Sequence, residues 1–230
     1  MSAPAVPDEL RYEVKFVARA TELPRLLGWV RANKAGFHEP FPMRQVNNVY
    51  FDTFDLYAYQ ENISGASARS KVRYRWYGDT DDPDKGTLEV KRRRSSVGWK
   101  LSFPVGPTPL AGVSWSEFRR SLRAQLPDQA RIWLDANPQP VLINRYERRY
   151  FLSRDGRVRL TVDWNQRVYD QRHCAKPNLT HTANLPDTLV VEIKFDRSDR
   201  KLANRYAQGI PIRVSRNSKY VIGVDSITYD

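Results

Sequence analysis

Arginine and lysine recur at every second position along short segments of this chain, a spacing that sets cations side by side on one face of a strand. Lys71, Arg73 and Arg75 oppose Val72, Tyr74 and Trp76, and Glu89, Lys91 and Arg93 oppose Leu88, Val90 and Arg92. Arg157, Arg159, Thr161 and Asp163 stand against Val158, Leu160 and Val162, and Glu192 and Lys194 against Val191, Ile193 and Phe195. Arg11, Glu13 and Lys15 likewise oppose Tyr12, Val14 and Phe16. An antiparallel sheet with one wet face shows such alternation ordinarily. Here the polar side is cationic in strand after strand, and like charges opposite each other across strands are destabilising. If the sheet closes, those faces line a sheltered basic interior that focuses its field on a multiply charged anion. Phosphoryl transfer suits such an interior, because it needs in-line oxygens and neutralised charge more than covalent help. Arginine offers phosphate a planar fork and lysine a point charge, while a hard carboxylate suits Mg²⁺ or Mn²⁺.

The composition agrees with an anionic partner. Among 230 residues, 38 Lys and Arg face 26 Asp and Glu, a net charge of +12; nucleic acid, a lipid headgroup and a small polyphosphate all fit that balance. The one cysteine, Cys174, excludes an internal disulfide and a thiolate-rich zinc site and suits a reducing compartment, so the cytoplasm is the expected address. No run approaches the roughly 18 apolar residues of a membrane span, and the start MSAPAVPDEL lacks the pattern of a signal peptide. His38, His173 and His181 are scattered, and no H-E-x-x-H, P-loop, dinucleotide fingerprint or G-x-S-x-G elbow occurs.

The elements that must position the charges follow from periodicity. Period-two alternation predicts strands at 11–17, 46–53, 70–77, 86–93, 98–105, 141–152, 157–163 and 188–195. Helical spacing of Leu23, Leu26, Leu27 and Val30 predicts a helix over 21–33. Ser114 with Glu117 forms a capping box ahead of Trp115, Phe118 and Leu122, and short helices are expected near 127–135 and 201–208. This is an α+β pattern dominated by one large antiparallel sheet or a barrel, with 1–10 as a disordered leader and 11–230 as a single domain.

In order along the chain stand RYEVKF (11–16), NNVYFDT (47–53), KVRYRWYG (71–78), LEVKRR (88–93), GWKLSF (98–103), RYERRYF (145–151), RVRLTVD (157–163), VVEIKF (190–195) and SKY (218–220). This series resembles the VTC-type polyphosphate polymerase domain of the triphosphate tunnel metalloenzyme (CYTH-like) superfamily. The resemblance implies a closed antiparallel β-barrel, the triphosphate tunnel, with helices packed on the outside. It implies Lys15, Arg73, Arg75, Lys91, Lys100, Arg148, Arg159, Ser218 and Lys219 as phosphate ligands, with Arg73, Arg75, Lys91, Lys100 and Arg159 at the reacting phosphates. It implies Glu192 as ligand to Mn²⁺ or Mg²⁺, with ATP and inorganic polyphosphate as substrates and the γ-phosphate joining the growing chain. A one-residue slip would exchange Arg148 for Arg149 on the tunnel face.

Hydrolytic members of that superfamily resemble one another in an E-x-E-x-K pattern on the first strand, where this chain has Arg11, Glu13 and Lys15. The missing carboxylate argues against a second metal that generates hydroxide, and favours polymerisation over triphosphate hydrolysis. A non-catalytic polyphosphate sensor is a further alternative. A nucleic-acid module is not expected, because Tyr74 and Trp76 point away from Arg73 and Arg75, whereas single-strand readers put stacking rings beside their cations. With no membrane segment in the chain, coupling to polymer export would need a membrane partner.

Overall fold

The computed structural model describes residues 11–94 and 97–228; the expected leader at 1–10 lies outside them. In chain order the elements are β1 (Arg11–Arg19), α1 (Leu23–Ala32), β2 (Arg44–Asp52), α2 (Tyr57–Ile63), β3 (Ala68–Tyr77), β4 (Gly86–Arg94), β5 (Val97–Val105), α3 (Trp115–Ala124) and α4 (Asp128–Ala136). There follow β6 (Gln139–Leu152), β7 (Val158–Asp170), β8 (Thr188–Asp196), α5 (Arg200–Tyr206), β9 (Arg213–Val214) and α6 (Lys219–Thr228). The strands hydrogen-bond in the order β5-β4-β3-β2-β6-β7-β8-β1-β9, and every pairing with a described register is antiparallel. The fold is α+β with one large antiparallel sheet, and among the described residues its hydrogen-bond ladder is open, ending at β5 and β9.

The chain divides into two compact units, each with its own apolar layer. One comprises the described residues up to Arg44 with Tyr146–Gln166 and Pro186–Asn217; the other comprises Gln45–Arg145, Arg167–Leu185 and the chain from Ser218. In the second unit, Val49, Phe51, Val72, Tyr74, Trp76, Leu88 and Val90 cluster with Trp115, Phe118 and Leu122 of α3 and Leu134 of α4. Alternation therefore buries one side of β2, β3 and β4 under two amphipathic helices and leaves Arg73, Arg75 and Glu89 on the other. The predicted capping box starts α3: the Glu117 N–H donates to Ser114 Oγ at 3.2 Å, and the Ser114 N–H donates to Glu117 Oε2 at 2.7 Å. Gly86 faces the Tyr74 ring so closely that a Cβ there would lie 2.3 Å from the phenol oxygen, so only glycine fits. In the first unit, Phe16, Val158, Leu160, Val162, Val191 and Ile193 pack with Leu26 and Val30 of α1 and Ala203 of α5.

The eight expected strands and the four expected helices all form, with β7 running on to Asp170 where the expectation stopped at 163. Three elements were not foreseen: α2, β9 and α6. The first turn of α2 is tied by Asp52, whose carboxylate accepts the Ala58 and Tyr59 N–H groups at 2.9 and 3.1 Å. One expectation needs correcting. Not every helix lies under the apolar side: in the second unit α6 packs its Tyr220, Val224 and Ile227 with Tyr50 and Leu142, and Tyr50 sits opposite Arg73 on the polar side of the β2–β3 pair. The Tyr50 and Tyr220 rings stack at 5.1 Å, so that part of the polar side carries enough aromatic surface to hold a helix.

Candidate functional site

The polar side of the second unit is organised by one carboxylate. Glu89 lies directly across from Arg73 on β3 and Ser102 on β5. Arg73 Nε donates to Glu89 Oε2 at 2.7 Å and Arg73 Nη2 lies 2.5 Å from the same oxygen. Arg75 Nη1 is 3.7 Å from Oε2, and Lys100 Nζ is 2.6 Å from Oε1. Burial on its own would raise the pKa of Glu89, but Arg73, Arg75 and Lys100 overcome it and hold the carboxyl well below the usual range. Asn48 Oδ1 accepts from Arg75 Nε at 2.8 Å, and Tyr50 Oη accepts from Arg73 Nη1 at 3.2 Å. Both guanidiniums are thus buried and fixed in direction, 7% and 8% exposed.

Two residues along, the register places Lys71, Lys91 and Lys100 in one row across β3, β4 and β5. Three like charges directly opposite one another are unfavourable in a sheet unless an anion joins them. Lys71 Nζ donates to Ser218 Oγ at 2.7 Å, which brings the start of α6 to this row. Ser218 Oγ also accepts the Val221 N–H at 3.4 Å, and Lys219 opens the helix half-buried.

The polar side of the first unit is organised by two carboxylates. On β1 and β8, Lys15 lies across from Glu192 and Glu13 across from Lys194. Lys15 Nζ stands 3.0 Å from Glu13 Oε1 and 3.2 Å from Glu192 Oε1; Lys194 Nζ stands 3.5 Å from Glu13 Oε2 and 2.9 Å from Glu192 Oε2. Burial opposes the charge on Lys15, but Glu192 and Glu13 outweigh it and raise its pKa above the ordinary lysine value. Thr161 is the register partner of Glu192 on β7, and its buried hydroxyl has no hydrogen-bond partner. Arg159, opposite Lys194, is exposed and takes part in no ion pair among the described residues.

Arg148 lies on the polar side and Arg149 does not. Arg148 Nε and Nη2 donate to the two oxygens of Asp163 at 2.5 and 2.7 Å, between the Tyr146 and Tyr150 rings at 5.2 and 5.7 Å. Burial works against this guanidinium, but Asp163, Tyr146 and Glu192 keep it charged. Arg149 instead pairs with Glu39 and lies over Phe151, a member of the apolar layer.

A family model described as the VTC domain matches residues 10–228 of the chain. The chain belongs to the VTC-domain family. A solved structure of a candidate adenylate cyclase from Vibrio parahaemolyticus matches this VTC domain at a TM-score of 0.50 and 12% identity, covering 93% of this chain and 97% of that one. That likeness supports the fold. A Pyrococcus horikoshii protein aligns at a TM-score of 0.45 and 12% identity, over 92% of this chain and 97% of that one. No curated protein matches the sequence.

Within the VTC domain the predicted residues fall into two sets. Arg73, Arg75, Lys91, Lys100, Ser218 and Lys219 belong to the second unit, while Lys15, Arg148, Arg159 and Glu192 belong to the first. From the sequence, Glu89, Asp163, Lys71 and Lys194 are residues of the polar faces with no part in the site, and Glu13 enters only through the first-strand carboxylate pattern. Parity located them; what it lacked was register, which alone tells which carboxylate meets which cation. No group of three His, Cys, Asp or Glu stands together among the described residues, and none of the described helices is long and apolar enough to cross a membrane.

Proposed function

We propose that residues 11–230 act as one tunnel domain and transfer the γ-phosphate of ATP to the end of an inorganic polyphosphate chain. The observation that carries this reading is the row Lys71, Lys91 and Lys100 beside the buried fork of Arg73 and Arg75. Five cations converge on one surface, and Glu89 fixes three of them, Arg73, Arg75 and Lys100, by direct ion pairs. Cations set side by side in this way repel one another and attract a linear polyanion. In this reading the sheet closes into the tunnel that the family resemblance implies.

The chemistry follows from these groups. A terminal oxygen of the polyphosphate attacks the γ-phosphorus, the bond from that phosphorus to the β–γ bridging oxygen breaks, and ADP leaves with the electron pair. The attacking oxygen is already anionic, so no side chain has to remove a proton. Arg73 and Arg75, held in direction by Tyr50 and Asn48, neutralise the equatorial oxygens, and Lys91, Lys100, Lys15 and Arg159 spread charge along the rest of the chain. Arg148 acts with its remaining N–H groups, since Asp163 occupies Nε and Nη2. Ser218 and Lys219 contact phosphate from the start of α6.

The donor set of the first unit fits a divalent metal. Glu192 and Glu13 supply hard carboxylate oxygens, and the Thr161 hydroxyl, buried without a partner beside Glu192, supplies a third. Mn²⁺ or Mg²⁺ there would offset charge on the phosphate oxygens. A triphosphate hydrolase of the same superfamily is the competing reading, and the products decide between them. Purified protein given ATP and Mn²⁺ should make long polyphosphate with stoichiometric ADP; free phosphate or pyrophosphate alone refutes polymerisation. Arg159→Gln is the cleanest variant, because Arg159 is exposed and takes part in no described ion pair. It should lower kcat/KM by one to two orders of magnitude, the loss of a charged hydrogen bond of about 1.5–3 kcal/mol, with an unaltered melting temperature. Wild-type turnover in that variant removes Arg159 from the site.

A further inference from the structure

On the apolar side of the first unit, away from every residue assigned above, an apolar cavity of about 370 Å³ opens between the β1–β8 pair and α5. Phe16, Ile193 and Phe195 form its floor, and Ala203, Ala207 and Ile212 its walls. Two large apolar side chains at this place are exposed: Val214 at the edge strand β9, 68% exposed, and Tyr12, 41% exposed, whose ring stacks on Phe195 at 6.0 Å.

The mouth is cationic. Asn204 and Gln208 line it, and on α5 Arg200 and Lys201 stand at i−4 and i−3 of Asn204 and so share its side of the helix. Lys201 stands on the ridge of Arg205. All three cations are exposed, and none has a carboxylate partner among the described residues. Arg197, one turn before Lys201, is exposed as well, and Lys34 reaches the same mouth through Gln208 Oε1 at 3.3 Å. The one acidic residue between Arg197 and Arg205, Asp199, is buried and paired with Arg157.

We propose that this face docks on the surface of a bilayer containing acidic phospholipids, with Val214 and Tyr12 inserted at the headgroup level and Arg200, Lys201 and Arg205 on lipid phosphates. Apolar side chains beside exposed, unneutralised cations are what an anionic bilayer surface rewards. A soluble polyanion such as polyphosphate or nucleic acid would use the cations and leave the apolar cavity and Val214 in water.

The test is co-sedimentation of the full chain with vesicles of phosphatidylcholine alone, and of phosphatidylcholine with phosphatidylglycerol in equal parts. Every sample contains saturating tripolyphosphate, so that the phosphate-binding faces are blocked. Binding is expected only to the acidic vesicles. The triple variant R200Q/K201Q/R205Q should bind about a hundredfold more weakly, the product of roughly fivefold per cation. Val214→Ser should weaken binding severalfold with the charge unchanged. Turnover of ATP should be unaltered in both. Equal binding to both vesicle types, no binding to the acidic vesicles, or undiminished binding by the triple variant would each overturn the assignment. Charge-dependent capture of polyphosphate at this patch without vesicle binding would also overturn it.

Discussion

Glu89 offers the sharpest test of how the cationic surface is held together. Glu89→Gln preserves shape and one acceptor oxygen but removes the charge that Arg73, Arg75 and Lys100 share. Breaking a buried ion pair by neutralising one partner costs about 3–5 kcal/mol. The amide keeps part of the hydrogen bonding and Lys100 is 45% exposed, so about 3 kcal/mol is the working value. For a chain of this size that lowers the melting temperature by roughly 6–12 °C. The same change removes the counter-charge that these three cations share, so tripolyphosphate should bind the variant at least tenfold more tightly, about 1.4 kcal/mol. Thermal melts with and without tripolyphosphate report both quantities: the variant starts lower and gains more. The pH dependence has a defined sign. Because the folded carboxyl is held below its ordinary value, its contribution is complete above the unfolded value of about 4.3 and is lost as pH falls through the lower folded value. The two melting curves should therefore converge in strong acid. A variant that melts with the wild type at neutral pH, or that binds tripolyphosphate no better, refutes this account of Glu89.

Three other changes test separate parts of the molecule. Asp163→Asn strips the buried Arg148 of its bidentate partner and should cost about 3–5 kcal/mol by denaturant titration; a loss under 1 kcal/mol would mean that Arg148 is satisfied elsewhere. Glu192→Gln leaves Glu13 to pair with both Lys15 and Lys194, so the fold should persist while the Mn²⁺ or Mg²⁺ concentration needed for turnover rises tenfold or more; an unchanged metal titration assigns Glu192 to the ion-pair network alone. Gly86→Ala drives a methyl into the ring of the buried Tyr74 and should destabilise by about 1–3 kcal/mol, whereas a melting temperature equal to wild type would show that β4 shifts to make room.

Much of this was legible because strand parity is rigid. Once β3 is read as a strand, Arg73 and Arg75 must lie on one side and Tyr74 and Trp76 on the other, and the two rings are indeed fully buried beside Phe118. The capping box at Ser114 is equally local, two side chains meeting the backbone of one turn. The carboxylate partners were not legible, because they depend on pairing between strands distant in sequence: Glu13 meets Lys194 only through the β1–β8 register. The same holds for α6, whose apolar stripe of Tyr220, Val224 and Ile227 is matched by Tyr50 and Leu142 on strands far away. Asp52 joins these pieces, since its carboxylate accepts both the α2 N–H groups and the Tyr220 hydroxyl.

The pairing of cations with carboxylates on both polar faces has a physical reason that bears on function. Arginines and lysines crowded on one surface repel one another, and without counter-charges the strands that carry them would splay. Glu89 in one unit, and Glu13, Glu192 and Asp163 in the other, supply that counter-charge from within the sheet. Each leaves its cations aimed in a fixed direction, so an arriving phosphate meets oriented donors and loses little in ordering them. The partition also predicts where binding is strongest. Lys71, Lys91 and Lys100 stand directly opposite one another in one row, so an anion laid along it relieves like-charge repulsion across three strands. Charge removal at Lys91 should therefore weaken tripolyphosphate binding more than charge removal at Lys194, which already has two carboxylates within 3.5 Å.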